Sequence, residues 1–219
     1  MSRRHTVWLG LVFGLCLLAE LPAVWLARGL GVPAEGVVGS LWQGQATRLG
    51  PVGHLRWELS PWRLQAQAWL DFQGQGWQVS LAGWPWRWQG ELVALGARPA
   101  FDQGYRLVGL WQGSLRVTGS GGYCRQSEGR LVVEDLALVE PWSLGLGRGV
   151  LEMNCPVGWQ LVGELGLAQQ HQMRLDVDLV GRRARLDLQV QPEAALTPVL
   201  RGAQWLGEQA LEGQREIRW

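Results

Sequence analysis

Histidines and cysteines, which often serve in covalent, acid–base or metal chemistry, are few in this sequence and widely spaced. Zinc sites need ligands in short pairs such as Cys-x-x-Cys or His-x-x-x-His, and no such pair joins the three histidines, His5, His54 and His171. Asp176 and Asp178 are two residues apart, but the arginines around them indicate a solvated ladder of charges rather than an acid–base pair. We therefore predict no catalytic residue, no cofactor site and no metal site.

The motifs of common enzyme classes are also missing. No Gly-x-Ser-x-Gly elbow occurs, and the chain has no lysine, so the phosphate-binding Gly-x-x-x-x-Gly-Lys is excluded. The net charge is +1, which gives no electrostatic case for nucleic acid. With 15 tryptophans and an apolar share of 47%, the chain has ample surface to bury in a folded domain.

A Trp-Gln-Gly triplet occurs three times, starting at Trp42, Trp88 and Trp111. In a strand, the tryptophan and the glycine of each triplet share one face and the glutamine takes the other. Two interpretations remain open: these tryptophans pack inside a curved sheet, or they line a surface that contacts a partner or lipid. With Trp57, they form the candidate contact residues. We expect the first triplet to belong to the opening strand of the folded domain.

The N-terminal segment has the character of a membrane anchor. Taken as a helix, residues 6–27 would span roughly 33 Å at about 1.5 Å per residue, enough for a bilayer core. Its apolar residues are Val7, Trp8, Leu9, Leu11, Val12, Phe13, Leu17, Leu18, Leu21, Val24, Trp25 and Leu26. Arg3 and Arg4 precede them, so the positive-inside rule assigns residues 1–5 to the cytoplasm and residues 28–219 to the far side. A cleaved signal peptide is the alternative.

Export sets the expectation for the cysteines. Cys16 falls within the predicted anchor, whereas Cys124 and Cys155 fall in the exported part, where an oxidising compartment favours a disulfide between them.

Strand patterns dominate the exported part. Leu55, Trp57 and Leu59 alternate with polar residues, which is typical of a strand with one wet face. Residues 173–179 and 185–190 alternate in the same way around Gly181 and predict a hairpin with opposing arginine and aspartate rows. No helical period is sustained between residues 37 and 191. We therefore predict a mainly β domain made of a curved antiparallel sheet, as a half-pipe or rolled sheet.

The C-terminal segment has a different pattern. Apolar residues recur at helical spacing, interrupted by Pro198 and Gly202, and predict a short amphipathic helix; they are Leu196, Val199, Leu200, Ala203, Leu206 and Ala210. Residues 215–219 follow as a candidate closing strand.

Two motifs carry a family resemblance. Gly39, Trp42, Gly44 and Ala46 match a Gly-x-x-Trp-x-Gly-x-Ala pattern. A Leu-x-Trp-x-Leu-x-Pro-x-x-Leu pattern is matched by Leu55, Trp57, Leu59, Pro61 and Leu64. With the short anchor and the two later cysteines, the sequence resembles the type II secretion system protein N family.

The resemblance implies a single-pass protein of the inner membrane with a periplasmic β domain. It would be a non-enzymatic accessory part of the machinery that exports folded proteins, acting as a scaffold for other inner-membrane and secretin-connecting components. The alternative is a lipid-binding or lipid-transfer module similar to AsmA-like or lipopolysaccharide-export proteins, with lipid bound in the β domain. No cofactor is expected in either case.

Overall fold

Antiparallel β-strands make up most of the chain in the computed structural model. The structure describes residues 20–29, 31, 33–98, 106–140, 143–156 and 158–219, together with His5, Val7, Trp8, Phe13 and Gly14. The mainly β, antiparallel character predicted from the alternating patterns is confirmed.

Sixteen strands are numbered here in chain order. They are β1 (Ala34–Glu35), β2 (Val38–Gly39), β3 (Gln43–Ala46), β4 (Arg48–Leu49), β5 (Leu55–Ser60), β6 (Gln65–Phe72), β7 (Gln75–Trp84), β8 (Arg87–Ala97), β9 (Arg106–Val108), β10 (Trp111–Ser120), β11 (Tyr123–Glu140), β12 (Leu144–Asn154), β13 (Gln160–Leu167), β14 (His171–Asp178), β15 (Arg183–Val190) and β16 (Glu212–Arg218). The helices are α1 (Ala23–Gly29), α2 (Leu196–Gly202) and a 3₁₀ turn at Pro61–Arg63.

One large sheet contains fourteen of these strands. Its order is β16-β15-β14-β13-β12-β11-β10-β8-β7-β6-β5-β3-β2, with β9 paired to β11 beside this path, while β1 and β4 form a separate pair. Every pairing is antiparallel. Within the part of the chain that the structure describes, β2 and β16 remain the two ends of the path, so the sheet is open rather than closed into a barrel.

The register follows the alternation of the sequence. Trp57 lies opposite Ala68, which in turn lies opposite Val79, so the apolar positions of neighbouring strands face the same side. A one-residue slip would move each of these side chains to the charged side, and the pattern therefore fixes the pairing.

The predicted C-terminal hairpin is present as β14 and β15. Arg174 lies opposite Asp187 and Asp176 lies opposite Arg185 on the charged face. The candidate closing strand is also present, because β16 pairs with β15. It extends the sheet and does not close it.

The C-terminal helix is shorter than predicted. It ends at Gly202, and residues 203–210 form turns, so Ala203, Leu206 and Ala210 lie outside it. Glycine is costly within a helix, which accounts for the stop. Leu196, Leu200 and Leu206 nevertheless pack against Leu144, Leu188 and Val190 of the sheet.

At the N-terminus, the expected opening strand needs correction. Two short strands, β1 and β2, precede β3, and Trp42 lies in the turn before β3 rather than inside a strand. The Ser40 hydroxyl shapes this turn by accepting hydrogen bonds from the backbone N–H groups of Trp42 and Gln43, each at 3.2 Å.

Of the predicted anchor, residues 6–27, residues 6, 9–12 and 15–19 lie outside the described residues, whereas Trp25 lies in α1. Among the residues that are described, no helix is long and apolar enough to cross a bilayer.

Candidate functional site

One face of the large sheet is apolar across successive strands. Gly44, Trp57, Ala68, Val79, Leu92 and Leu115 lie opposite one another on β3, β5, β6, β7, β8 and β10. The other face carries charged pairs such as Arg116–Glu91 at 2.9 Å and Arg174–Glu164 at 3.4 Å. These exposed pairs contribute little stability individually, but they mark this face as solvated.

The apolar face is concave. Trp77 of β7 and Leu151 of β12 line the same pocket, although β8, β10 and β11 separate their strands. Strands so far apart can share a pocket only where the sheet curls. We call this concave face the apolar trough.

The trough is filled to different extents along the sheet. Leu131 and Val133 of β11 have no exposed surface, whereas Val79 and Leu81 of β7 are 37% and 48% exposed. Helix α2 and the turn after it cover the trough near β12 and β15, where Leu196, Leu200 and Leu206 pack on the sheet. The β7 side therefore presents uncovered apolar surface.

The pocket between β7 and β12 has a volume of about 230 Å³. Its apolar lining is formed by Phe72, Trp77, Leu107, Trp111, Leu136 and Leu151. The Trp77 and Trp111 rings lie 6.4 Å apart at a 48° tilt. Such a lining suits an aliphatic chain better than a polar metabolite.

Two polar groups adjoin this pocket. The buried amide of Gln75 accepts a hydrogen bond from the Trp111 N–H at 3.2 Å and donates to the Trp111 carbonyl at 3.3 Å. It thereby supplies partners for the Trp111 backbone, because the pairing of β10 with β8 ends at Ser114 and Val93 while β8 continues to pair with β7 as far as Gln75. The Trp77 indole N–H is buried without a hydrogen-bond partner among the described residues, which is costly for a polar group.

The four tryptophans predicted from the sequence fall in three places. Trp111 lines the pocket. Trp88 lies at the other end of the trough, where its indole donates to the Gly121 carbonyl at 2.9 Å. Trp57 and Trp42 lie together near the sheet edge formed by β2, β3 and β5. The structure therefore does not gather the triplet tryptophans into one surface.

The structure also shows the surroundings of the isolated histidines and carboxylates. His171 is buried, with Nε2 3.1 Å from the Leu146 carbonyl oxygen, whereas His54 is exposed. Asp178 accepts hydrogen bonds from the Gly181 N–H at 2.8 Å and from Arg183 Nε at 3.1 Å. Over the described residues, no group of three or more metal-ligating side chains occurs.

Comparison with known proteins identifies the family. The family model for protein N of the type II secretion system (T2SS) matches residues 30–218. The chain belongs to the type II secretion system protein N family. No curated protein and no solved structure shows significant similarity to it. Membership in the protein N family makes the chain a component of type II secretion, an accessory class with no known enzymatic activity.

The structure explains the two motifs that suggested the protein N family. The Trp57 ring lies over Gly44, where a Cβ would collide with it. The Trp57 indole N–H lies 3.3 Å and 3.2 Å from the carbonyl oxygens of Ser40 and Leu41. The motifs therefore form one packed unit at the sheet edge, in which the Trp57 ring packs against Gly44.

The expected disulfide of this protein N family member is present. Cys124 at the start of β11 is joined to Cys155, which follows β12 directly, with a Cα–Cα distance of 5.1 Å. It fixes the segment before β13 against the beginning of β11.

Sequence patterns had missed Gln75 and Trp77. Trp77 alternates with polar neighbours in β7, which was a usable signal for an inward position. Gln75 gave no sequence signal, because its contact with Trp111 depends on the point where the pairing between β8 and β10 ends.

Proposed function

We propose that this protein is a non-enzymatic accessory component of type II secretion that binds other components of the machinery. The observation that carries the proposal is the family match over residues 30–218. In this proposal, residues 6–27 anchor the chain in the inner membrane with residues 1–5 in the cytoplasm. The β domain, residues 28–219, lies in the periplasm and acts as a scaffold.

Open sheet ends support the scaffold role. β16 pairs on one side with β15 and leaves its other side free among the described residues. A free strand edge can accept a strand from a partner. Its charged side chains, including Glu212, Arg215 and Glu216, favour a partner strand with complementary charges over self-association.

Deletion and crosslinking test this role. Loss of the gene should lower the amount of type II substrates in the medium, and the wild-type gene should restore it. Capture of the full-length protein from crosslinked membranes should recover inner-membrane or secretin-connecting components. Unchanged secretion together with recovery of no such component would contradict the proposal.

The uncovered trough favours a second function, the binding of a lipid acyl chain. Val79 and Leu81 are exposed on the apolar face, and the 230 Å³ pocket continues the same surface. A lipid ester oxygen would accept the hydrogen bond that the Trp77 N–H lacks, after a small shift of the ring.

Native mass spectrometry of the detergent-extracted full chain tests lipid binding. Leu81→Asp places a charge in the trough and should lower lipid occupancy. Ala82→Asp is the matched control, because Ala82 is the next residue of β7 and faces the charged side. An apo mass for the wild type, or equal losses in both variants, would exclude the trough as a lipid site.

A further inference from the structure

The strands of the large sheet end in two groups of turns with contrasting side chains. At one end, the register brings together the turns that follow β5, β7, β10, β12 and β14, together with the end of β16. The six most exposed apolar and aromatic residues of this end are Trp62, Trp84, Trp86, Tyr123, Val180 and Trp219. We call them the aromatic rim.

The rim residues are between 54% and 81% accessible, whereas Phe72, Leu110, Trp205 and Leu211 at the opposite end are between 38% and 54% accessible. Exposing one such side chain is ordinary, but six at the same end of one sheet require an explanation. Trp84 and Trp86 stack with their ring centroids 4.9 Å apart, so part of the rim forms a continuous aromatic surface.

Two neighbouring turns of the rim have the same sequence. Pro61-Trp62-Arg63 follows β5, and Pro85-Trp86-Arg87 leads into β8. The Gly83 N–H donates to the Leu64 carbonyl at 3.0 Å and holds the two turns side by side. Each turn presents one exposed tryptophan followed by one arginine.

Charge distinguishes the rim from the opposite end. The rim turns, residues 61–64, 85–87, 121–122, 155–159 and 179–182, contain Arg63, Arg87 and Arg182. The adjoining carboxylate of Asp178 is already paired with Arg183 and with the Gly181 N–H. The opposite turns carry Arg98 and Arg201, but they also carry carboxylates and glutamines, which include Gln73, Gln169, Gln170, Gln191, Glu193 and Glu208.

The N-terminal segment reaches the sheet at the rim end. The Leu41 N–H donates to the Leu21 carbonyl at 3.0 Å, and Pro22 forms a bridge with Ser40. Residues 40–43 form the β2–β3 turn. Because β3 pairs with β5 and β5 pairs with β6, this turn lies beside the turn that carries Trp62. A segment anchored before Leu21 would thus approach from the side of the rim.

We propose that the aromatic rim docks on the surface of an anionic phospholipid bilayer. Tryptophan and tyrosine concentrate at membrane interfaces because their rings are apolar at one end and hydrogen-bonding at the other. Arginines beside them extend to phosphate groups while their aliphatic stems cover apolar surface. The strands then project away from the membrane, with the polar end farthest from it. The direction from which the membrane-anchored segment approaches the sheet rests on the anchor proposed above. The composition of the rim is independent of that anchor.

Photo-crosslinking of the full-length chain tests the docking. p-Benzoylphenylalanine is placed at Trp62, Trp86 or Tyr123, in liposomes of phosphatidylethanolamine and phosphatidylglycerol that contain an alkyne-tagged phospholipid. Control positions are Leu110 and Trp205, which are exposed at the opposite end. Rim positions should give lipid adducts and control positions should not. Replacing phosphatidylglycerol by phosphatidylcholine should lower the adduct yield, by up to about fivefold per arginine near the surface.

Rim adducts with protein only, or equal lipid adducts at both ends, would overturn the docking. Carbonate extraction of the same liposomes, performed in parallel, tests the anchor separately. A chain that resists extraction but gives no rim adducts retains the anchor and loses the rim proposal. A chain that carbonate extracts, although its rim gave lipid adducts, retains the rim proposal and loses the anchor.

Discussion

The indole rings of Trp88 and Trp159 stack with centroids 5.4 Å apart and planes 8° from parallel. Trp88 belongs to β8 and Trp159 precedes β13, so the contact reaches across the ends of β10, β11 and β12. Both indoles donate to the turn beneath them, Trp88 to Gly121 and Trp159 to the Gly122 carbonyl at 2.7 Å. The stack therefore fixes the curl of the sheet at the rim end of the trough.

Gly119→Ala should disturb this stack. A Cβ at Gly119 would collide with the Trp88 ring and with the Tyr123 carbonyl oxygen. We expect a loss of about 1–3 kcal/mol in the free energy of unfolding, because the ring must leave its position. Urea denaturation and near-UV circular dichroism measure the effect. Gly122→Ala adds the same atom to open space and is the matched control; equal effects from both variants would contradict the steric argument.

Removal of the disulfide should destabilise the β domain. The bond between Cys124 and Cys155 closes a segment with a sequence separation of 31 residues. On the chain-entropy estimate, its loss in Cys124→Ser/Cys155→Ser costs about 3–4 kcal/mol. Denaturation midpoints with and without reductant measure the change. The wild type should respond to reductant and the double variant should not; a wild type insensitive to full reduction would refute the expectation.

Gln75→Leu should weaken the junction between β7 and β10. The substitution keeps an apolar volume in the buried position but leaves the N–H and the carbonyl of Trp111 without their partner. We expect a cost of about 2–4 kcal/mol for the two unpaired groups. Thermal unfolding measures it, with Gln89→Leu on the exposed face of β8 as control. Similar melting temperatures for the two variants would show that the Gln75 amide contributes little.

Asp178 predicts a pH dependence of stability. The hydrogen bond from the Gly181 N–H, assisted by Arg183, lowers the pKa of the Asp178 carboxyl below its ordinary value of 3.8 and outweighs desolvation, which acts in the other direction. A lowered folded-state pKa stabilises the fold above the unfolded pKa, and this stabilisation is lost as the pH falls through the folded value.

The difference in stability between the wild type and Asp178→Asn should therefore be full at pH 6 and shrink as the pH falls below 3.8. Urea titrations at several pH values measure it. Asp187→Asn, on the neighbouring strand and without such a backbone hydrogen bond among the described contacts, is the control. A difference between the wild type and Asp178→Asn that grows on acidification would contradict the sign.

Local alternation was enough to predict several of the longer strands and their faces. Leu55, Trp57 and Leu59 lie on the apolar side of β5 because side chains alternate strictly along a strand. The hairpin of β14 and β15 followed from the same rule together with the break at Gly181.

The candidate site was not accessible to the same reasoning. The pocket exists because the sheet curls until Trp77 lies across from Leu151, and such curvature is a property of many strands together. Trp42 was assigned to a strand because its triplet resembled two others, but the Ser40 hydroxyl turns the chain at that point. The same Trp-Gln-Gly triplet therefore starts in a turn at Trp42 and in strands at Trp88 and Trp111.

The chain order of the sheet has a consequence for how the protein is made. From β11 to β16, each strand pairs with the strand that precedes it in the sequence. A chain that emerges N-terminus first can therefore add one hairpin at a time to an edge that has already formed, without waiting for distant segments. β16 is the last strand of the described sheet to emerge, and it adds an edge to β15 without closing the sheet.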